Sequence, residues 1–118
     1  MSKSALESMC RYLAAEMGPD QIRVNTIQLG HIVKDNHKEM FYSRPNREYR
    51  SWAQRVHPLR RVGHNTDVTG PIKFFLSRES AFITGQVLCV DGGLTIQEPA
   101  QMILSFLQSQ KGKHGTRK

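Results

Sequence analysis

Lys3 is the residue whose type and position most directly suggest chemistry. It lies in the opening run from Met1 to Glu7, which resembles the second half of a Tyr-x-x-x-Lys active-site motif. Residues four apart share one face of a helix, so a tyrosine and a lysine at that spacing could reach the same site. The tyrosine position would fall two residues before Met1. We therefore expect a chain that begins inside a catalytic motif; the alternative is a solvated lysine in the first turn of a helix.

Metal chemistry is not predicted. The five histidines show no metal-ligand spacing and have no cysteine partners nearby: His31, His37, His57, His64 and His114. Cys10 and Cys89 lie in apolar periodic segments, which favours two buried, reduced thiols. A disulfide between them is the alternative.

The elements that must position Lys3 alternate between helix and strand. Apolar residues at helical spacing before Gly18 predict the first helix, and β-branched residues before Gly30 predict the first strand. The full order is a helix over 2–17, a strand over 23–29, a mobile segment over 31–62 with one or two short helices, a helix from Asn65 or Thr66 to Arg78, a strand over 86–90 and a helix over 99–108. This alternation indicates an α/β fold.

Two strands cannot complete such a sheet. The second strand is apolar on both faces, as in buried parallel sheets, yet the chain supplies few helices to cover it. At least one strand edge is left unpaired, which favours association with further strands.

Composition and charge fit one soluble domain. The chain has 118 residues, 38% of them hydrophobic, and no apolar run approaches the ~20 residues that span a bilayer. The net charge of +7 comes mostly from residues 31–62 and from the tail 109–118, which we expect to be disordered. No helix-turn-helix, zinc or aromatic-basic motif supports nucleic-acid binding. Because no secretory signal precedes Ser2, we expect a cytoplasmic protein without a membrane segment.

Six short motifs follow one another along the chain. They are Ser2-Lys3-Ser4-Ala5-Leu6, Ala14-Ala15-Glu16 leading to Ile22-Arg23-Val24-Asn25, the strand end at Gly30, Arg61-Val62-Gly63 before Asp67-Val68, Phe82-Ile83-Thr84-Gly85-Gln86, and Val90-Asp91-Gly92-Gly93. In this order they resemble the carboxyl-terminal half of a short-chain dehydrogenase/reductase, truncated just before its catalytic tyrosine. The resemblance implies the last two strands, side by side, and the flanking helices of a doubly wound Rossmann-type parallel sheet. It assigns residues 1–96 to that half-domain, 33–62 to its substrate lid and 97–108 to a terminal helix.

The resemblance also implies roles for individual residues. Lys3 would bind the nicotinamide ribose and lower the pKa of the missing tyrosine, which exchanges the proton as hydride moves. Leu29 and Gly30 stand where the family has Pro-Gly, so glycine's tolerance of positive φ and of close backbone approach is kept there. Ile32 would contribute its backbone. Lys34 replaces a threonine that bonds the nicotinamide amide, and a lysine has no acceptor for that bond.

The lid would set the substrate. Its aromatic residues could line an apolar pocket or simply pack under the loop, and they are Phe41, Tyr42, Tyr49 and Trp52. Its basic residues could meet an anionic group such as the phosphate of an acyl carrier or remain solvated, and they are Lys34, Lys38, Arg44, Arg47 and Arg50.

Three functions follow from these features. The first is part of an NAD- or NADP-dependent oxidoreductase acting on a small carbonyl or alcohol. Because the chain contains no glycine-rich nucleotide loop and no catalytic serine or tyrosine, we expect weak or no cofactor binding and no useful activity by the isolated chain. The second is an assembly module that forms a homo-oligomer or pairs with an N-terminal fragment or a longer dehydrogenase. The third is a small basic anion-binding protein.

Overall fold

The computed structural model describes residues 3–111, and the side chains as far as Gln108. The helices are α1 (Lys3–Met17), α2 (Lys38–Tyr42), α3 (Arg47–Val56), α4 (Asn65–Leu76) and α5 (Pro99–Lys111). The strands are β1 (Thr26–Leu29), β2 (Ile32–Val33), β3 (Gly63–His64) and β4 (Val87–Val90). The described residues form two compact units, one of residues 3–29 and 66–90 and the other of 30–65 and 91–111.

The first helix agrees with its prediction, apart from Ser2, which lies outside the described residues. Cys10 and Ala14 stand four residues apart on α1 and are both buried, so this face packs into the first unit. The Cys10 thiol donates to the carbonyl of Val24 over 3.5 Å. The helix passes into a 3₁₀ turn at Gly18–Asp20, where proline limits further helix.

The strands β1 and β4 are parallel neighbours, as predicted. Thr26 pairs with Val87 and the register runs to Leu29 and Val90. The thiol of Cys89 on β4 is free, as is that of Cys10, but Cys89 is exposed rather than buried. The expectation of two buried thiols is therefore wrong for β4.

The first strand is shorter than predicted, because side chains replace the ladder at its beginning. The amide of Val24 donates to the Thr84 hydroxyl at 3.0 Å. The Asn25 side chain donates to the Ile83 carbonyl and accepts from the Gln86 amide, each at 3.0 Å. These bonds hold the two segments together before regular pairing starts at Thr26.

Arg23 ties this strand to the end of α4. Its guanidinium donates to the carbonyl and the hydroxyl of Ser80, each at 2.8 Å. It also donates to the carbonyls of Phe75 at 2.8 Å and Ser77 at 3.3 Å. A helix end leaves carbonyls without intrahelical partners, and Arg23, together with the Ser80 hydroxyl, supplies donors to them as a side-chain cap. The helix ends at Leu76, two residues before the predicted end, and Ser77 caps the following 3₁₀ turn.

The second unit contains structure that was not predicted. Ile32 pairs with Gly63 and Val33 with His64 in a short parallel ladder, so the segment after Gly30 is not simply a loop. The expected short helices are present as α2 and α3. A buried cluster joins β2 to both helices through Val33, Phe41, Ala53 and Val62, with Trp52 packed against it.

The terminal helix α5 packs against α3. It extends through residue 111, three residues beyond the predicted end at Gln108. The first residues of the predicted disordered tail are therefore helical, and 112–118 lie outside the described residues.

Candidate functional site

The Gly30 turn is the part of the predicted site that the structure defines most sharply. A β-carbon at residue 30 would lie 2.6 Å from both the Cα and the Cβ of Asp91, so no side chain fits there. Gly30 is not among the residues with positive φ, so of the two properties that glycine permits there, positive φ and close backbone approach, only the close approach is used. Its glycine is required because the backbone segment at Asp91 passes against it.

Asp91 organises the turn after β4. Its carboxylate accepts from the amide of Gly93 and the amide of Thr95, each at 2.9 Å, and from the Thr95 hydroxyl at 2.5 Å. The hydroxyl bond to Thr95 is the largest cause of a lowered pKa for the Asp91 carboxyl; the two backbone amides add to it, and burial opposes it. Gly92 and Gly93 both have positive φ, which agrees with a structural turn.

Gly92 and Gly93 also let residues near the end of the lid pack closely against the turn. A β-carbon on Gly92 would lie 3.3 Å from Cδ2 of His57, and one on Gly93 would lie 2.8 Å from Cγ of Pro58. The amide of Leu59 donates to the Gly92 carbonyl at 3.3 Å. The backbone of the two glycines in this turn therefore packs against the side chains of His57 and Pro58.

His57 is a buried histidine with a fixed tautomer. Its Nδ1 lies 2.6 Å from the carbonyl oxygen of Ala53. Because a carbonyl only accepts, Nδ1 carries the proton, and Nε2 of the neutral ring is an acceptor. Nε2 is buried and has no hydrogen-bond partner among the described residues.

His31, directly after Gly30, joins the turn to the lid. Its ring centroid lies 5.8 Å from Phe41, 5.9 Å from Tyr49 and 6.1 Å from His57. Burial is the largest cause of a lowered pKa for His31, and repulsion from His57 when that ring is protonated lowers it further. The imidazole of His31 is therefore neutral at pH 7 and offers one donor and one acceptor.

The lid aromatics divide into two kinds. Phe41 is buried in the core and Trp52 packs against it, so these two support the lid itself. Tyr42 and Tyr49 are about half exposed, at 48% and 50%. The Tyr42 hydroxyl lies 3.1 Å from Nε2 of His64. Of the four aromatic residues, only these two tyrosines have substantial exposed surface.

The basic residues of the lid fall into two groups: those held by other lid residues and those that are exposed. The Lys38 ammonium lies 2.8 Å from the Asp35 carboxylate. Arg50 donates to the carbonyls of Phe41 at 2.9 Å and Ser43 at 3.2 Å. Both cations are therefore held by the lid's own groups. The other three predicted basic residues, Lys34, Arg44 and Arg47, are exposed.

The predicted site residues fall into both units. Gly30, Ile32 and Lys34 belong to the second unit, where Ile32 and Lys34 flank the buried Val33. Leu29 ends β1 in the first unit. Lys3 lies in the exposed first turn of α1, and no hydrogen bond or ion pair engages its ammonium within residues 3–108.

The sequence prediction missed His31 and His57 as a pair. The two residues are 26 positions apart, and only the packing of the lid end on the turn brings them together. The signal that could have found His31 is its place directly after the Gly30 turn.

The described residues contain neither a cluster of metal ligands nor a helix suited to a membrane. Within residues 3–108, no group of three or more histidine, cysteine, aspartate or glutamate side chains is arranged to hold a metal ion. No helix in the described part of the chain combines the length and apolar character needed to cross a membrane.

Comparison with protein families gives a match over most of the chain. Residues 1–95 match the family model described as enoyl-(acyl carrier protein) reductase. The peroxisomal 2,4-dienoyl-CoA reductase [(3E)-enoyl-CoA-producing] of Danio rerio is 34% identical over 116 residues, which are 95% of this chain and 37% of that protein. The 1-cyclohexenylcarbonyl-CoA reductase of Streptomyces collinus is 38% identical over 97 residues, which are 82% of this chain and 34% of that protein. The chain thus spans about a third of the length of these relatives.

Solved structures agree with these relatives. A 4-hydroxyisoleucine dehydrogenase in complex with NADH superposes with a TM-score of 0.72 and 30% identity, over 81% of this chain and 38% of that one. The structure of ElxO with NADP bound gives a TM-score of 0.71 and 28% identity, over 80% and 38%. The fold is therefore α/β and forms part of a doubly wound, Rossmann-type parallel sheet. The chain belongs to the short-chain dehydrogenase/reductase family.

Proposed function

We propose that this chain provides the lysine, the last strand pair and the lid of an NAD(P)-dependent oxidoreductase. The reaction is hydride transfer between nicotinamide and the carbon of a small carbonyl or alcohol. The observation that carries the proposal is the parallel pair β1–β4 in a chain whose residues 1–95 match the family. Ligands of such sheets bind beyond the carboxyl ends of the strands, and β1 ends at the Gly30 turn, which adjoins the lid.

Lys3 would hold the cofactor's ribose. Its exposed ammonium fits this role, because three N–H donors suit ribose hydroxyls and no described group already engages them. A bound nicotinamide would supply or accept the hydride. The Lys3 charge would lower the pKa of a tyrosine on the same helix face, which favours proton exchange with the substrate oxygen.

Some of the residues at the Gly30 turn are suited to contact the nicotinamide, and others are not. The missing side chain of Gly30 leaves space that Asp91 fills, so this glycine supports the turn. Ile32 would offer its backbone to the nicotinamide amide. Lys34 is exposed and can donate but not accept, so it would bond only the oxygen of that amide. Related structures carry NADH or NADP, and either nicotinamide fits these contacts.

The 118-residue chain on its own is expected to be inactive. Its sequence contains no tyrosine four residues before Lys3 and no glycine-rich nucleotide loop. Loss of a positioned proton donor alone costs about 10²- to 10⁴-fold in rate. Without a pyrophosphate site, NAD and NADP are expected to bind weakly or not at all.

A fusion protein tests this function. The upstream part of the 4-hydroxyisoleucine dehydrogenase that is known in complex with NADH would precede this chain, which replaces the superposed segment of that structure. We expect the fusion to bind NADH or NADPH and to reduce small ketones, whereas the 118-residue chain does neither. Lys3→Met in the fusion should weaken cofactor binding and lower kcat/KM by about 10²-fold or more. Lys73→Met, an exposed lysine on α4, is the matched control and should change neither.

The outcomes separate two claims. Turnover by the pure 118-residue chain would contradict its inactivity but not the reaction class. A fusion that binds nucleotide but reduces or oxidises no carbonyl or alcohol would contradict the reaction class.

An assembly role is the second candidate, because the sheets of the described residues have free edges. The pair β1–β4 has only two strands, and Leu29 and Leu88 on it are exposed by 42% and 38%. Exposed apolar strands favour pairing with further strands. The partner would be a second copy of this chain, an N-terminal fragment or a longer dehydrogenase. Sedimentation of the chain alone, and with the upstream fragment, tests this: a stable monomer in both would contradict it.

The remaining proposals concern anions and location. No contact among the described residues favours the anion-binding function, since Lys38 and Arg50 are held within the lid. We retain a cytoplasmic location as a proposal, because the free thiols of Cys10 and Cys89 suit a reducing compartment. Imaging of a tagged protein would test it.

A further inference from the structure

The face formed by His31 and Tyr49 has the features of a binding surface. The two rings lie 5.9 Å apart and are tilted by 53°. Tyr49 is half exposed, and its ring centroid also lies 5.8 Å from that of Trp52 and 6.3 Å from that of Phe41. His31 is partly buried. This is an aromatic surface with two polar tips, the imidazole and the phenol hydroxyl.

The surface is held from behind by buried groups. Phe41 lies edge-on to His31 at 5.8 Å and belongs to the lid core. His57 is 1% exposed, is bonded to the Ala53 carbonyl and packs against Gly92. Because Phe41 and His57 cannot move without opening the core, the orientation of His31 is set before any ligand binds. Such support from a second layer is what makes a binding residue selective.

We propose that His31, together with Tyr49, is a specificity-determining residue that favours substrates whose group beside the reacting carbon is flat and uncharged. This inference rests on the proposed function, which puts the Gly30 turn next to the nicotinamide. His31 is the first side chain after that turn, so it would touch the substrate beside the reacting carbon. Tyr49 would lie along the flat part of the substrate.

The chemistry of the imidazole supports this class. A neutral histidine offers one N–H and one lone pair, which match a ketone, hydroxyl or amide group. It lacks the charge that a carboxylate or phosphate needs when it is taken out of water. Lys38 and Arg50, two lid cations that could supply such a charge, bind Asp35 and the carbonyls of Phe41 and Ser43 instead.

The fusion protein described above tests the inference with two matched ketones. They are 4-nitroacetophenone, which is flat and uncharged, and 4-acetylbenzoate, which has nearly the same shape and carries a carboxylate. The measured quantity is the ratio of their kcat/KM values. We expect His31→Arg to shift this ratio toward the carboxylate by roughly tenfold or more, since a hydrogen bond between a guanidinium and a carboxylate is roughly twice as strong as a neutral one.

Three further variants separate binding from folding. His37→Arg adds the same charge at an exposed lid histidine and should leave the ratio unchanged. His31→Gln keeps a neutral donor and acceptor and should retain the preference for the uncharged ketone. If His31→Arg does not fold, His31→Gln and His31→Phe provide the comparison: Gln retains kcat/KM for the nitro ketone, whereas Phe lowers it several-fold.

Failure can be assigned to one claim or the other. A fusion that binds nucleotide but turns over neither ketone would overturn the proposed reaction and this inference together. Turnover with a ratio that His31→Arg does not move, or that His37→Arg moves equally, would overturn the inference alone. Equal kcat/KM of His31→Gln and His31→Phe would do the same.

Discussion

The β-carbon that residue 30 lacks would lie 2.6 Å from the Cα of Asp91. Real β-carbons do not approach a backbone atom so closely, and the Asp91 backbone cannot turn aside as a flexible side chain could. The Asp91 carboxylate is itself held by Gly93 and Thr95. Gly30 is therefore a packing requirement of the second unit, whatever binds beside it.

Gly30→Ala should destabilise the protein. The added methyl forces the two segments apart, and overpacking of this kind costs about 1–3 kcal/mol. Urea unfolding followed by the fluorescence of Trp52, the single tryptophan, would measure the loss. Gly70→Ala is the control, because no group outside its own helix backbone and its chain neighbours lies within 4 Å of its β-carbon position in α4. The same urea unfolding should show a smaller loss than for Gly30→Ala, since the added methyl is restricted only by the following Pro71. Equal stability of the two variants would contradict the proposed crowding.

Arg23→Met should loosen the first unit. The change removes the charged donor to the carbonyls of Phe75, Ser77 and Ser80, whose remaining donors are the Ser80 hydroxyl and the Ile83 amide. Because a hydrogen bond to a charged group contributes about 1.5–3 kcal/mol, we expect a loss of that order. Amide hydrogen exchange of Thr26 to Leu29 would report it, since these amides belong to the same unit.

The control for Arg23 is a second arginine of the same region. Arg78→Met, at an exposed position in the 3₁₀ turn, should leave the exchange rates within a few-fold of the parent. If both variants exchanged alike, the capping role of Arg23 would be wrong.

The residue pattern within each segment was enough to predict several helices and strands. The apolar spacing of Leu6, Leu13 and Met17 predicted α1, and β-branched residues predicted β1 and β4. Their parallel pairing came from the family resemblance. The strand limit at Thr26 could not be predicted, because Asn25 bonds residues about 60 positions away.

The rest of the site depends on contacts distant in sequence. The pair Gly63–His64 has no strand pattern of its own and is a strand only because it lies beside Ile32 and Val33. Glycine at residue 30 was expected to permit positive φ and close backbone approach, and its contact with Asp91 shows that the close approach is what requires it. Lys3 was correctly predicted on a helix, and its role in catalysis remains a prediction.

His31 should make stability depend on pH near neutrality. Burial and the nearby His57 lower its pKa in the folded state below the unfolded value of about 6.5. The unfolded chain therefore binds a proton at His31 more readily than the folded chain does. The free energy of unfolding is higher above about pH 6.5 and decreases as the pH falls below it. Nuclear magnetic resonance titration of the His31 ring should give a midpoint below the value of about 6.5 for an unperturbed histidine.

His31→Phe should remove part of this dependence. Its urea midpoint should fall less between about pH 7.5 and pH 5 than that of the parent protein. His37→Phe, at an exposed position, should follow the parent. A parent and a His31→Phe variant with the same slope would show that His31 titrates no differently in the two states.

Thr95 should control the acidity of Asp91. Its hydroxyl, 2.5 Å from the carboxylate, is the largest cause of the lowered pKa of Asp91. A group whose folded pKa is depressed stabilises the fold above its unfolded pKa, near 3.9, and this contribution is lost as the pH falls through the folded pKa. Thr95→Val should raise the pKa of Asp91, so the turn should open at a higher pH on acidification. Thr95→Ser keeps the hydroxyl and should retain the lowered pKa. Carbon-detected titration of the Asp91 carboxyl would decide: if valine and serine gave the same midpoint, the side-chain bond would not be the cause.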